Sequence, residues 1–150
     1  MVTLTYQERF KTIKGVFDEF TNRTLFELQS RSAFDSLDSP LSIGKESNVF
    51  IGSKDKKKVI IKIYRMQNCD FNIMYSYIRK DPRYEFLKKH KRQIILAWTQ
   101  REYKNLLRAE KLKVRSPIPL AWRNHIIVEE FIGDEEPAPP LKDFYPSNPK

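Results

Sequence analysis

A lysine and a glutamate stand at positions where the surrounding pattern calls for apolar side chains. In the stretch from Val59 to Tyr64, the two-residue period of a strand puts Lys62 on one face with Ile60 and Tyr64. Glu102 interrupts a helical stripe that otherwise consists of Ile95, Trp98, Leu106 and Ala109. Because removing a lone charge from water costs roughly several kcal/mol, pairing Lys62 with Glu102 would satisfy both groups. The alternative is that Lys62 reaches the sheet edge and Glu102 lies at the rim of the stripe.

The segment upstream of this lysine has the residue types of an anion site. Residues 41–50 have the sequence LSIGKESNVF. In a turn, their backbone N–H groups and the Lys45 ammonium can face a phosphate, and Gly44 allows close backbone approach. A surface loop with an incidental Gly-Lys pair explains the same residues, so both interpretations stay open.

The composition is that of a basic, packed chain. Among its 150 residues, 28 are Lys or Arg and 19 are Asp or Glu, and the formal charge of +9 favours anionic partners. Cys69 is the only cysteine, which excludes an intrachain disulfide or a cysteine-based zinc cluster and favours a reducing compartment. There is no signal-peptide pattern, and no apolar run approaches the ~18 residues of a membrane span. We expect a soluble, cytoplasmic protein without a membrane partner.

Hydrophobic periodicity and turn residues predict the elements that must position these side chains. In chain order they are two short helices within 6–34 divided at Thr21 and Asn22, a loop over 35–47, a β-hairpin around SKDKKK at 53–58, a short helix and mobile loop over 75–92, a helix over 93–113, and a strand over 125–133. The last 17 residues hold five prolines and are typical of a linker or frayed end. The predicted strand and helix therefore supply Lys62 and Glu102.

The order of these motifs resembles the RIO family of protein kinases, most closely its first subfamily. That subfamily has a phosphate loop S-T-G-K-E-A-N-V-Y and a lysine strand close to V-K-I-Y-R, and this chain has SIGKESNVF at 42–50 and IKIYR at 61–65. The likeness continues through SYIRKDPRYEF, WTQREYKNLLRAE, VRSPIPLAW and VEEFIGDEEPAPPLKD. It covers residues 22–143.

The resemblance implies an α+β fold. The expected architecture is a protein-kinase-like N-lobe with a twisted antiparallel sheet, one main helix and an N-terminal helical extension. Its boundaries would be 1–40 for the extension, 41–136 for the lobe with a flexible loop at 66–92, and 137–150 for a proline-rich segment toward a missing C-lobe.

The resemblance also implies a nucleotide site and a function. Lys62 would contact the α and β phosphates of ATP, and Glu102 would orient it. Main-chain groups of Glu130 and Ile132 would hold adenine. The implied phosphate loop and following strand supply Ser42, Gly44, Lys45, Glu46, Ser47 and Val49. The family further implies Mg²⁺ and a serine/threonine kinase or ATPase that acts in small ribosomal subunit maturation, with pre-ribosomal particles or RNA as partners.

Two residues depart from the family pattern. Ile43 replaces a threonine, which removes a hydroxyl from the phosphate loop. Glu129 replaces the methionine that usually precedes the hinge, and strand alternation places it with Ile127 and Phe131. Our hypothesis is that Glu129 shares Lys62 with Glu102, since it would otherwise be a second unpaired carboxylate. A solvated glutamate at a strand end is the alternative.

No residue of this chain is predicted to perform catalysis or to bind a metal. Phosphoryl transfer needs an aspartate that positions the acceptor, and metal ligands. Asp143 and Asn148 have the D-x-x-x-x-N spacing but lack the preceding histidine motif and are separated by Pro146. His125 and His90 are expected at a strand end and at the surface. We therefore expect these residues to bind ATP without transferring phosphate.

Two further functions remain open. Basic residues in KKHKR and Arg79-Lys80, together with Tyr75, Tyr77 and Tyr84, are also typical of an RNA-binding or ribosome-associated module without catalysis. Phe10, Phe17 and Phe20 could form a partner face on the N-terminal helices, although a helical stripe of this kind usually packs into a core.

Overall fold

A computed structural model describes residues 15–144. Its elements are α1 (Glu19–Ser30), β1 (Ser36–Ile43), β2 (Ser47–Lys54), β3 (Lys57–Tyr64), α2 (Phe71–Ile78), a 3-10 turn (Pro82–Tyr84), α3 (Lys91–Lys111), β4 (Pro119–Arg123), β5 (Ile126–Glu130) and a second 3-10 turn (Leu141–Asp143). The strands form an antiparallel sheet in the order β1-β2-β3-β5-β4. The predicted α+β class is confirmed.

The two faces of the sheet pack against different helices. On one face, Ile61 of β3 lies in an apolar cluster with Leu25 of α1. On the other face, Tyr64 lies in a second cluster with Met74 of α2 and Ile95 of α3. Burying a side chain of this size contributes roughly 1.5–3 kcal/mol, so all three helices are held mainly by apolar contact. The alternation predicted for β3 is confirmed, and it puts Lys62 on the α3 face.

The lysine strand belongs to a tight hairpin, as the sequence predicts. The pairing of β2 with β3 runs without interruption from Ser47↔Tyr64 to Lys54↔Lys57. The two turn residues, Asp55 and Lys56, have φ angles of 49° and 62°. Two successive left-handed residues match the right-handed twist of the strands, so this turn fixes the register that places Lys62 opposite Val49.

The loop predicted over 35–47 is wrong for most of its length, because β1 occupies Ser36–Ile43. Register shifts interrupt its pairing with β2 on both sides of Pro40. A proline is tolerated there because β1 is an edge strand, where one N–H faces away from the sheet. Serine, aspartate and proline indicate a loop in the sequence, whereas pairing with β2 overrides that local preference.

The predicted helix break at Thr21 and Asn22 is also wrong. Helix α1 begins at Glu19, and the carboxylate of its N-cap Asp18 accepts a hydrogen bond from Thr21 N at 2.7 Å. The Asn22 side chain donates to Phe17 O at 3.0 Å. The Asp18 carboxylate thus satisfies a free backbone N–H of the first turn, and the polar residues Thr21 and Asn22 do not end the helix. The helix predicted before this point, with Phe10, lies outside the described residues.

The helix predicted over 93–113 is confirmed as α3, Lys91–Lys111. It ends where Lys113, with a φ of 56°, donates its N–H to Glu110 O at 2.9 Å. The segment 66–92 contains α2, whose start is capped by the Asp70 carboxylate. Strand β4 was not predicted, because Pro117 and Pro119 indicated only an end to the helix. No helix between residues 15 and 144 is long and apolar enough to cross a bilayer.

His125 lies directly before β5, at the predicted strand end, and it is fully buried there. It follows Asn124, with a φ of 50°, in the turn between β4 and β5. Its Nε2 lies 2.9 Å from Thr21 Oγ1, and its ring stacks on Phe20 with centroids 5.0 Å apart. Burial lowers the pKa of His125 to about 4, because the charged imidazolium would lose its hydration.

We expect His125 to make stability depend on pH. Between pH 6.5 and about 4 the unfolded chain binds a proton at this residue and the folded chain does not. The free energy of unfolding should therefore fall by about 3 kcal/mol as pH drops through this window. Urea unfolding of the His125→Gln variant should give a flatter profile.

The exposed His90 provides the matched control. His90→Gln should keep the pH profile of the unmodified chain. A profile that keeps its slope in His125→Gln would contradict the assignment to His125.

Candidate functional site

The predicted ion pair between sheet and helix is present. Lys62 Nζ on β3 lies 2.8 Å from Glu102 Oε1 on α3. The two side chains keep 24% and 29% of their exposure, so the pair is shielded from solvent but still accessible from one side. A pair in this setting is stronger than one on an open surface and remains able to contact a ligand.

Tyr64 is a third member of this group that sequence reasoning did not assign. Its buried hydroxyl donates a hydrogen bond to Glu102 Oε2, and Lys62 Nζ lies 5.1 Å from the centroid of its ring. Burial, followed by the negative charge of Glu102, raises the pKa of Tyr64 far above its ordinary value. The signal in the sequence was the strand period, which already placed Tyr64 on the face of Lys62.

The loop between β1 and β2 folds back tightly beside this group. Gly44 N donates to Ser47 O at 2.9 Å, and a Cβ at Gly44 would lie only 2.9 Å from the same oxygen. Glycine is therefore required by the close approach of the backbone. Arg65, at the end of the lysine strand, donates from Nη1 to Gly44 O at 3.1 Å and from its backbone to Glu46 O at 2.8 Å.

Lys62 and Glu102 open onto a cleft of about 360 Å³. Four of the predicted site residues line it, namely Glu46, Ser47, Lys62 and Glu102. Helix α2 supplies a wall that was not predicted, with Asp70, Ile73 and Tyr77 among its lining residues. The other predicted residues of the loop and strand, which are Ser42, Gly44, Lys45 and Val49, do not line this cleft.

Comparison with known proteins identifies the family. A family model described as the RIO domain matches residues 48–150. The chain belongs to the RIO domain family. This confirms the resemblance that the motifs indicated.

The curated relatives of this RIO domain are longer proteins. The RIO-type serine/threonine-protein kinase Rio1 of Haloferax volcanii is 38% identical over 128 residues, covering 84% of this chain and 44% of the relative. The protein of the same name from Methanocaldococcus jannaschii is 38% identical over 140 residues, covering 93% and 48%. The chain thus spans somewhat less than half the length of these two kinases.

Solved structures support the fold. The crystal structure of a Rio2 kinase–ADP/Mg²⁺–phosphoaspartate complex from Chaetomium thermophilum aligns with a TM-score of 0.59. The alignment covers 83% of this chain and 35% of that one, at 18% sequence identity. At this identity the likeness concerns the fold, which is protein-kinase-like.

Glu129 of this RIO domain lies on the face of Lys62, as alternation predicts. It pairs with Ile60 across β3 and β5, and Lys62 pairs with Ile127 two residues away. Burial raises the pKa of Glu129, attraction to Lys62 opposes that shift, and repulsion from Glu102 reinforces it. Among the described residues, the salt bridge of Lys62 is made to Glu102 and not to Glu129. Lys62 is thus paired with Glu102, and its sharing with Glu129 stays a hypothesis.

The predicted adenine contacts, Glu130 and Ile132, lie at and beyond the end of β5. Glu130 N donates to Ile118 O at 2.9 Å, and its carboxylate accepts from Ile118 N at 3.1 Å. The Ile132 carbonyl accepts from Ala138 N at 2.9 Å. Neither residue lines the cleft of Lys62. Their role in binding adenine stays a prediction.

The described residues contain no ready-made cluster of metal-ligating side chains. Between residues 15 and 144, no group of three or more His, Cys, Asp or Glu side chains is arranged to hold a metal ion. Asp143 lies in the second 3-10 turn, and Asn148 lies outside the described residues. The binding of Mg²⁺ that the family resemblance implies stays a prediction.

We expect Glu129→Gln to stabilise the RIO domain at neutral pH. Because the folded-state pKa of Glu129 is raised, ionisation costs the folded chain more than the unfolded chain, and stability is lost as pH rises through that pKa. The variant removes this loss, so its free energy of unfolding should exceed that of the unmodified chain at pH 7. The gain should shrink as pH falls from above the raised folded-state pKa toward the ordinary carboxyl value of 4.5, and it should change little below that value.

Urea unfolding at several pH values measures this gain, with the exposed Glu136→Gln as control. Equal effects of the two substitutions would show that Glu129 behaves as a solvated carboxylate.

Proposed function

We propose that this chain is the ATP-binding N-terminal lobe of a RIO-type serine/threonine protein kinase. The observation that supports this function most directly is the 2.8 Å bridge between Lys62 and Glu102 at the edge of a cleft. A lysine held by a carboxylate in this way keeps its position and remains able to contact phosphate oxygens. Family membership supports the same reading.

The surroundings of the pair suit a phosphate ligand. The tight loop at Gly44 to Ser47 lies next to the cleft and is tied to β3 through Arg65. Phosphate oxygens would replace water at the exposed side of the Lys62 ammonium, while Glu102 keeps the ammonium pointed into the cleft. The net charge of +9 would attract the nucleotide from a distance.

We propose that phosphoryl transfer needs groups in addition to Lys62, Glu102 and the loop at Gly44 to Ser47. The groups that position an acceptor hydroxyl and hold Mg²⁺ are not assigned to any residue of this chain. In a whole kinase of the relatives' length they would come from a C-lobe. By family membership, the partners would be small ribosomal subunit precursors or RNA. The proposed location is the cytoplasm.

We expect Lys62→Ala to weaken MgATP binding by at least about tenfold, because a charge-assisted contact to phosphate is lost. Isothermal titration calorimetry measures this directly. Lys58→Ala is the matched control, since Lys58 lies on the same strand but pairs with Glu135 at the hairpin end. Unchanged affinity in Lys62→Ala would refute the proposed role.

The purified 150-residue chain should give no phosphorylation above background with radiolabelled ATP and a generic acceptor protein. The matched measurement is MgATP binding by the same preparation. Phosphorylation that disappears in Lys62→Ala would show that the chain contains a complete catalytic set.

A basic surface supports RNA binding as a second candidate function. Residues 79–92 contain seven Lys or Arg and two acidic residues. The aromatic residues there are largely committed to the fold, since Tyr84 is buried and the Tyr75 hydroxyl donates to Leu87 O at 3.2 Å. Tyr77 remains exposed. An RNA-binding module should lose salt-dependent RNA affinity on Lys88→Ser with Lys89→Ser, and should be indifferent to Lys62→Ala.

A further inference from the structure

Glu102 receives two hydrogen bonds from the same strand. Lys62 Nζ donates to Oε1, and the Tyr64 hydroxyl donates to Oε2. Residues two apart on a strand point to the same face, so β3 contacts both oxygens of one carboxylate. Torsion about the last bond of a glutamate side chain is broad, and a single partner would leave the carboxylate free to turn. Two partners fix its plane.

Tyr64 is itself firmly placed. It is 2% exposed, and its ring lies in the cluster with Met74 and Ile95. Its backbone N–H donates to His125 O at 2.9 Å. The core of the sheet therefore sets the position of the hydroxyl, although Tyr64 also lines the ligand cleft. The ring also faces the Lys62 ammonium at 5.1 Å, and this cation–π contact holds the ammonium beside the ring.

We propose that Tyr64 is a positioning residue for nucleotide binding, which holds Glu102, and through it Lys62, in the geometry that receives phosphate. This inference rests on the proposed function. When Lys62 turns part of its charge toward phosphate oxygens, Glu102 keeps the hydrogen bond from Tyr64. Helix α3 then stays in register with β3 while the ligand is bound.

The variant Tyr64→Phe tests this role, because it retains the ring, its packing and its contact with Lys62, and removes only the hydroxyl. MgATP affinity should fall by roughly five- to tenfold, the equivalent of one hydrogen bond to a charged group. Adenosine affinity should change by less than about twofold, because the hydroxyl acts on the phosphate end. Equal losses for ATP and adenosine, or no loss for ATP, would overturn the proposal.

Tyr103→Phe is the matched control. Tyr103 packs against the same apolar cluster, stacks on Trp122 at 5.8 Å, and has no hydrogen bond from its hydroxyl among the described residues. It should leave the affinity for both ligands unchanged. A loss of ATP affinity in Tyr103→Phe that matches the loss in Tyr64→Phe would show a general packing effect and overturn the proposal.

Repeating the Tyr64→Phe substitution in a Glu102→Met variant tests this inference separately from the proposed function. In Glu102→Met the acceptor of the Tyr64 hydrogen bond is gone, so adding Tyr64→Phe should cause no further loss of ATP affinity. The shift in urea midpoint caused by Tyr64→Phe should also be smaller in Glu102→Met than in the unmodified chain. If the unmodified chain binds no ATP, the proposed function fails. The urea midpoints then decide whether Tyr64 holds Glu102, and equal shifts in the two backgrounds refute it.

Discussion

The ion pair between Lys62 and Glu102 joins residues forty positions apart in the sequence, and the arrangement of the sheet face depends on it. Either charge alone on this half-buried face would carry a desolvation penalty without compensation. Helix α3 must therefore cross the sheet at the turn that brings Glu102 over β3. The apolar cluster around Ile95 and Tyr64 supplies the contact that holds the helix there. The need to pair Glu102 with Lys62 determines which turn of α3 packs over β3.

The sheet separates two kinds of chemistry. The face covered by α1 is closed, and several of its polar side chains bond one another, while Asn22 Oδ1 and His125 Nδ1 have no hydrogen-bond partner among the described residues. Thr21 bonds His125, Asn124 donates to Thr24 at 3.0 Å, and Arg123 pairs with Glu27 at 2.6 Å. The α3 face keeps part of its charge accessible.

Local periodicity predicted the parts of the site that depend on one element at a time. The strand period gave the face of Lys62, and the helical period gave the place of Glu102. What escaped prediction depends on contacts between distant elements. Strand β1 exists because β2 pairs with it despite Pro40, and His125 is buried because α1 covers it. The hydroxyl of Tyr64 and the bond from Arg65 to Gly44 likewise became visible only once β3 was placed beside its neighbours.

Each edge strand of the sheet contains a proline beside a register shift, and this affects association between molecules at high concentration. Strands β1 and β4 are the outermost strands, and they contain Pro40 and Pro119, each beside a register shift. A free edge with a continuous row of unpaired N–H and C=O groups can recruit the edge of another molecule. Here both edges lack a donor and are locally bent, so they resist intermolecular strand addition. The two prolines that made β1 and β4 hard to predict from the sequence thus also disfavour edge-to-edge association of folded molecules at high concentration.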